Sequence, residues 1–143
     1  MLITGGFNYH GPPGSNPRWT LSSTELYDPV SNTFAASTPV MKSKRREAAA
    51  TMLPNGKVLI VGGYGGFGGF QTSTELYNSA RNTFAASTPV MSAQRQTATA
   101  TLLPSGQVLI AGGNGGIDAN NDAELYDPAT NTFTAATAMN PER

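Results

Sequence analysis

Leu53-Pro54-Asn55-Gly56-Lys57-Val58-Leu59-Ile60-Val61-Gly62-Gly63 recurs fifty residues on as Leu103-Pro104-Ser105-Gly106-Gln107-Val108-Leu109-Ile110-Ala111-Gly112-Gly113. A turn signal feeds an aliphatic run that is too short for a helix and ends at two glycines, which predicts a fully buried strand. The double glycine predicts backbone at positive φ or in close approach to a neighbour. Met1-Leu2-Ile3-Thr4-Gly5-Gly6 is the tail of a third copy, with Met1 at the position of Val58. The chain is a repeat.

The rest of the unit follows from the same alignment. Glu-Leu-Tyr stands at Glu25, Glu75 and Glu124, 50 and 49 residues apart, and Asn-Thr-Phe follows each time, ending at Phe34, Phe84 and Phe133. Residues 32–41 and 82–91 are identical. A period near 50 with four short strand-like pieces is the signature of a propeller blade. The pieces are 47–53 (97–103 in the next copy), the aliphatic run, 73–77 and 83–87. Alanines in the first piece (Ala48, Ala49, Ala50; Ala98, Ala100) suit crowding near a central axis. The second piece is apolar on both faces, as expected of a sheet sandwiched between two others. Asp28-Pro29-Val30-Ser31-Asn32 and its equivalents carry the residues of tight turns.

The double glycine, the Tyr-Asp-Pro strand and turn, and the aromatic about seven residues after the tyrosine together resemble the kelch repeat. The likeness covers essentially the whole chain. The run Leu-Pro-Asn-Gly-Lys-Val-Leu-Ile before the glycines resembles the bacterial form, which is similar to the central domain of galactose-oxidase-like proteins. Phe34, Phe84 and Phe133 replace the family's usual tryptophan and keep an aromatic for blade-to-blade contact. The implied fold is all-β, a kelch-type β-propeller with about three four-stranded antiparallel blades. These span approximately 1–44 (incomplete), 45–94 and 95–143, within one domain, 1–143. Closed propellers have about four to eight blades. The chain is therefore expected either to be a fragment of a longer propeller or to join other chains in one. The missing inner strand of the first blade favours the fragment.

Composition narrows function by exclusion. Nine basic and nine acidic residues balance, which gives no electrostatic pointer to nucleic acid or an anionic membrane. No stretch approaches the roughly 20 apolar residues of a membrane helix. The absence of cysteine removes disulfides, thiolate metal sites and cysteine nucleophiles from this chain. It does not fix a compartment, though an extracellular or periplasmic one is favoured.

In an up-and-down blade the second-to-third loop and the blade-to-blade connection share one end. Here those loops (7–23, 64–72, 114–122) differ in length and sequence, so binding is placed at that end. The first loop holds Tyr9, His10, Arg18 and Trp19. Trp19 either contacts a ligand, as hot-spot aromatics do, or packs onto its own blade. The Gly-rich middle loop, with Tyr64 and Phe67, lacks the Lys-Ser/Thr of a P-loop. Residues 118–122 look like half a calcium loop without its later ligands.

Repetition sorts the charges. Arg45, Arg95 and Arg143 occupy equivalent positions, as do Glu25, Glu75 and Glu124. They are expected to form Arg–Glu pairs between blades, or else to line the channel mouth and bind an acidic ligand. Arg46 and Glu47 are not repeated, since Gln96 and Thr97 stand there, so they are candidates for specificity. No catalytic constellation is present, and no catalytic, cofactor or metal residue is assigned. The resemblance to galactose oxidase implies a copper site with a Tyr–Cys cross-link and histidines. A chain with no cysteine and one histidine cannot supply it. The expected function is a non-catalytic kelch scaffold that binds a protein or glycan on its loop face. The alternative is the scaffold of a galactose-oxidase or glyoxal-oxidase type enzyme whose catalytic residues lie outside this chain.

Overall fold

The aliphatic runs of the second and third repeats form the second strands of four-stranded sheets, and that of the second repeat is buried on both faces. The computed structural model describes residues 1–8, 19–35, 39–66, 69–87, 90–116 and 121–140. The second sheet contains β6 (Ala49–Met52), β7 (Lys57–Val61), β8 (Thr74–Asn78) and β9 (Thr83–Ser87) in that order. The third repeats it with β10 (Thr99–Leu102), β11 (Val108–Ala111), β12 (Ala123–Asp127) and β13 (Thr132–Ala135). The first sheet has three strands, β1 (Leu2–Thr4), β4 (Thr24–Asp28) and β5 (Thr33–Phe34). All pairings are antiparallel, and registers repeat: Leu59 lies opposite Leu76, and Leu109 opposite Leu125. These are propeller blades, the first short of its inner strand among the described residues.

Strand alternation divides β7 between two cores. Leu59 and Val61 join Val108, Ile110 and Tyr126 in a cluster between the second and third blades. Ile60 joins Tyr77 and Phe84 in a cluster towards the first blade, where Leu2 and Leu26 meet it. Leu59 and Ile60, adjacent in sequence, are both 0% exposed. Only a strand covered on both sides buries consecutive side chains, hence the unbroken aliphatic run. Met41 and Met91, from the blade-to-blade connections, close one cluster each.

The double glycine sits where one blade meets the connection into the next. Gly62 has φ 63° and Gly63 φ 94°, and Gly63 N donates to Arg95 O at 2.6 Å. A Cβ on Gly62 would collide with Arg95 O, and one on Gly63 would stand 2.7 Å from Arg46 O. Two backbones pass too closely there for any side chain.

At the opposite end each blade repeats one device. Tyr27, Tyr77 and Tyr126 hydroxyls donate to Asn32, Asn82 and Asn131 Oδ1 at 2.8, 2.9 and 2.9 Å. Those asparagines take the left-handed conformation, φ 56°, 52° and 56°. The same tyrosines tilt against Phe34, Phe84 and Phe133 with centroids 5.1, 5.0 and 5.0 Å apart. The phenylalanine thus pairs with its own blade's tyrosine, and the pair together faces the preceding blade. Burial pushes the Tyr77 hydroxyl above its ordinary pKa. Asn82→Ala is expected to cost about 2 kcal/mol, roughly one for the left-handed backbone and one for the hydrogen bond. A urea unfolding curve superimposable on the wild type would contradict this.

Candidate functional site

The loop end carries two kinds of residue, repeated and unrepeated. Arg45 and Glu75 are each 1% exposed and joined from Arg45 Nε to Glu75 Oε1 at 3.1 Å. The guanidinium also donates to Gly62 O (2.7 Å), Ser73 O (3.0 Å) and Ser73 Oγ (2.9 Å). Glu75 accepts the Lys42 and Ser43 backbone N–H groups at 2.6 and 3.0 Å. The carboxylate of one blade thereby grips the connection that leads into that blade. Burial lowers the Arg45 pKa and the Glu75 charge opposes the shift.

Arg95 and Glu124 repeat this with a variation. Arg95 Nη2 meets Glu124 Oε1 at 3.2 Å, and Ser92 and Ala93 N–H groups donate to the carboxylate at 2.8 and 3.4 Å. Asp122, in the place of Ser73, adds a second ion pair to Arg95 Nη1 at 2.9 Å. Asp122, expected to belong to a half calcium loop, is thus engaged by an arginine. Glu25 is exposed and in no ion pair among the described residues.

The unrepeated residues form a separate cluster. Gly6 leads directly into β2 (Phe7–Asn8), which pairs with β3 (Trp19–Thr20) in a hairpin that the sequence pattern did not reveal. Leu21 O accepts Arg45 N at 2.9 Å, which lays the connection beside this hairpin. One residue on, Arg46 exchanges two backbone hydrogen bonds with Tyr64, at 3.1 and 2.9 Å. Its guanidinium then lies 4.6 Å from the Tyr64 ring centroid and 5.8 Å from that of Phe7. Tyr64 meets Phe70 edge-on at 5.3 Å. On the other face of the hairpin Lys44 Nζ sits 5.7 Å over Trp19, which is 51% exposed and outside its blade's core.

Arg46 Nε is buried without a hydrogen-bond partner. Gln96 and Asn114 hold the same backbone bridge in the next repeat, 2.9 Å each way, but supply neither ring nor charge. Glu47 and Thr97 follow at φ 54° each, and Thr97 N donates to Glu47 O at 2.9 Å. Glu47 is exposed.

The structure therefore brings Arg46, Tyr64 and, unforeseen, Phe7 together, and sets Trp19 against Lys44, likewise unforeseen, on the other face of the β2–β3 hairpin. Arg18, Phe67 and Arg143, with Tyr9 and His10, lie outside the described residues. Among the described residues no group of three or more His, Cys, Asp or Glu side chains could hold a metal ion.

A family model described as the Kelch motif matches residues 100–140, within the third repeat. The repeats are kelch repeats. The kelch blades also superpose on the solved structure of YjhT with a TM-score of 0.79 and 10% sequence identity, covering 98% of this chain and 49% of that one. At that identity the match shows the propeller fold, and the chain spans about half of its length. No curated protein matches the kelch chain.

Proposed function

We propose that this kelch arc is a non-catalytic scaffold that binds a protein or glycan partner at its loop end, through the cluster of Phe7, Arg46 and Tyr64 and the neighbouring pair of Trp19 and Lys44. One observation carries the reading. Arg46, in no ion pair among the described residues, is held against the rings of Tyr64 and Phe7, on a backbone bridge that the next repeat reproduces with Gln96 and Asn114 in the places of Arg46 and Tyr64. Packing needs the same residue in every blade, whereas recognition needs it once. Exposed aromatic and arginine side chains supply most of the energy at many interfaces. A guanidinium stacked on a ring still offers its N–H edge to an acceptor.

Printed glycan and peptide arrays probed with the purified chain test this. A binder is expected on one of them, weakened at least about tenfold, or ~1.4 kcal/mol, by Trp19→Ala and by Arg46→Gln. Neither variant is expected to lower unfolding free energy by more than about 1 kcal/mol. A binder indifferent to both substitutions, or none on either array, would contradict the proposal.

A further inference from the structure

We propose that the Asn114–Gly115 step is a modification site, at which the folded chain closes a succinimide on itself and loses ammonia. The sequence has two Asn-Gly pairs, Asn55–Gly56 and Asn114–Gly115. Both asparagines close an Asx turn. Asn55 Oδ1 accepts Lys57 N–H at 3.1 Å, and Asn114 Oδ1 accepts Gly116 N–H at 2.8 Å. An Asx turn folds the side chain back over its own backbone, so that Cγ lies beside the nitrogen of the following glycine. The donated hydrogen bond polarises the amide carbonyl, and glycine has no side chain to shield the approach.

The two sites differ in the nucleophile. Gly56 N–H donates to Leu53 O at 2.9 Å and closes a β-turn. Gly115 N–H has no hydrogen-bond partner among the described residues. Asn114 is held by two bonds of 2.9 Å to Gln96, but through its own N–H and C=O. That bridge leaves out Cγ and the Gly115 nitrogen, the two atoms that must join. Phe7 and Tyr64 stand at the equivalent places of the first two repeats, so the blade does not need an asparagine there.

The step needs water and no other co-reactant. Gly115 N loses its proton to hydroxide and bonds to Asn114 Cγ. The Cγ–Nδ2 bond breaks, and Nδ2 takes up a proton and leaves as ammonia. Water then opens the imide. Cleavage between Cγ and the Gly115 nitrogen gives aspartate. Cleavage between the Asn114 carbonyl carbon and that nitrogen gives isoaspartate, with the main chain rerouted through Cβ and Cγ. Either product adds one negative charge to a chain whose formal net charge is zero. Isoaspartate also lengthens the backbone at the bridge to Gln96.

The test incubates the folded chain in mildly alkaline buffer and follows it by ion exchange and by peptide mapping with mass spectrometry. Peptides bearing residue 114 are expected to convert about fivefold faster than those bearing residue 55, the factor that one hydrogen bond held over Gly56 imposes. In the urea-unfolded chain the two rates are expected to converge. Asn114→Tyr, the residue of the second repeat, is expected to remove the early acidic species, and Asn55→Ser, the residue of the third, to leave it. Equal rates in the folded chain overturn the proposal, as does faster conversion at Asn55 or none at Asn114. An early acidic species that survives Asn114→Tyr overturns it too, and so does a rate ratio that urea leaves unchanged.

Discussion

Glu75→Gln lowers the unfolding free energy by about 3–5 kcal/mol, read from urea or guanidinium denaturation at fixed protein concentration. Arg45 is 1% exposed, and a guanidinium does not shed its proton to escape burial. Removing the carboxylate charge leaves a buried cation with only carbonyl and hydroxyl partners. The glutamine also replaces an acceptor of the Lys42 and Ser43 N–H groups with an amide whose second atom is a donor. A backbone donor facing a donor costs about 1–3 kcal/mol by itself. Glu47→Gln provides the control, since Glu47 is exposed and in no ion pair among the described residues. It is expected to change stability by less than about 0.5 kcal/mol. Equal losses for the two variants would show that Glu75 does not clasp the blades.

The second large effect belongs to Gly62→Ala, expected to destabilise by about 2–5 kcal/mol. Two costs add. An alanine at φ 63° loses about 1–2 kcal/mol to left-handed backbone. Its Cβ would also strike Arg95 O, and backbone cannot rotate aside as a side chain can. Relief requires moving the connection that carries Arg95 and with it the contact to Glu124, an overpacking cost of roughly 1–3 kcal/mol or more. Gly56→Ala isolates the first term, since φ there is 77° with nothing within 4 Å of the added carbon. Gly62→Ala no worse than Gly56→Ala would mean that the blades do not approach as closely as the structure has them.

How far the sequence alone led depended on whether a feature repeats. Strands β6 to β13 were legible because aliphatic runs, Glu-Leu-Tyr and Asn-Thr-Phe recur in register, and a propeller is the arrangement in which such repetition buries both faces of β7. The candidates Arg45 and Glu75 were legible as repeated charges. Their fixing groups were not, because backbone N–H groups from Lys42 and Ser43 leave no mark in a side-chain pattern. The ion pair of Asp122 with Arg95 was hidden for another reason. The repeat spacing shrinks from 50 to 49 there, and the neighbouring acidic and amide residues drew attention to a different chemistry.

The loop patch was half visible. Arg46 stood out because Gln96 replaces it in the next copy, and Trp19 and Tyr64 stood out as aromatics in irregular loops. That Phe7 joins them depends on the β2–β3 hairpin, whose two-residue strands carry too few positions for alternation to be read. Lys44 lies one residue from Arg45 and reaches Trp19 only because the connection is tied to Leu21. Such pairings arise from how a blade folds back on its own loop.

The account rests on a division between repeated residues that hold the blades together and unrepeated ones that face a partner. Unfolding of Arg46→Gln beside Glu75→Gln tests it most directly, because glutamine is the residue the next repeat already tolerates at that place. The prediction is a loss of about 1 kcal/mol or less for Arg46→Gln, set against about 3–5 kcal/mol for Glu75→Gln. A loss at Arg46 as large as that at Glu75 would contradict the division and make the loop patch part of the architecture.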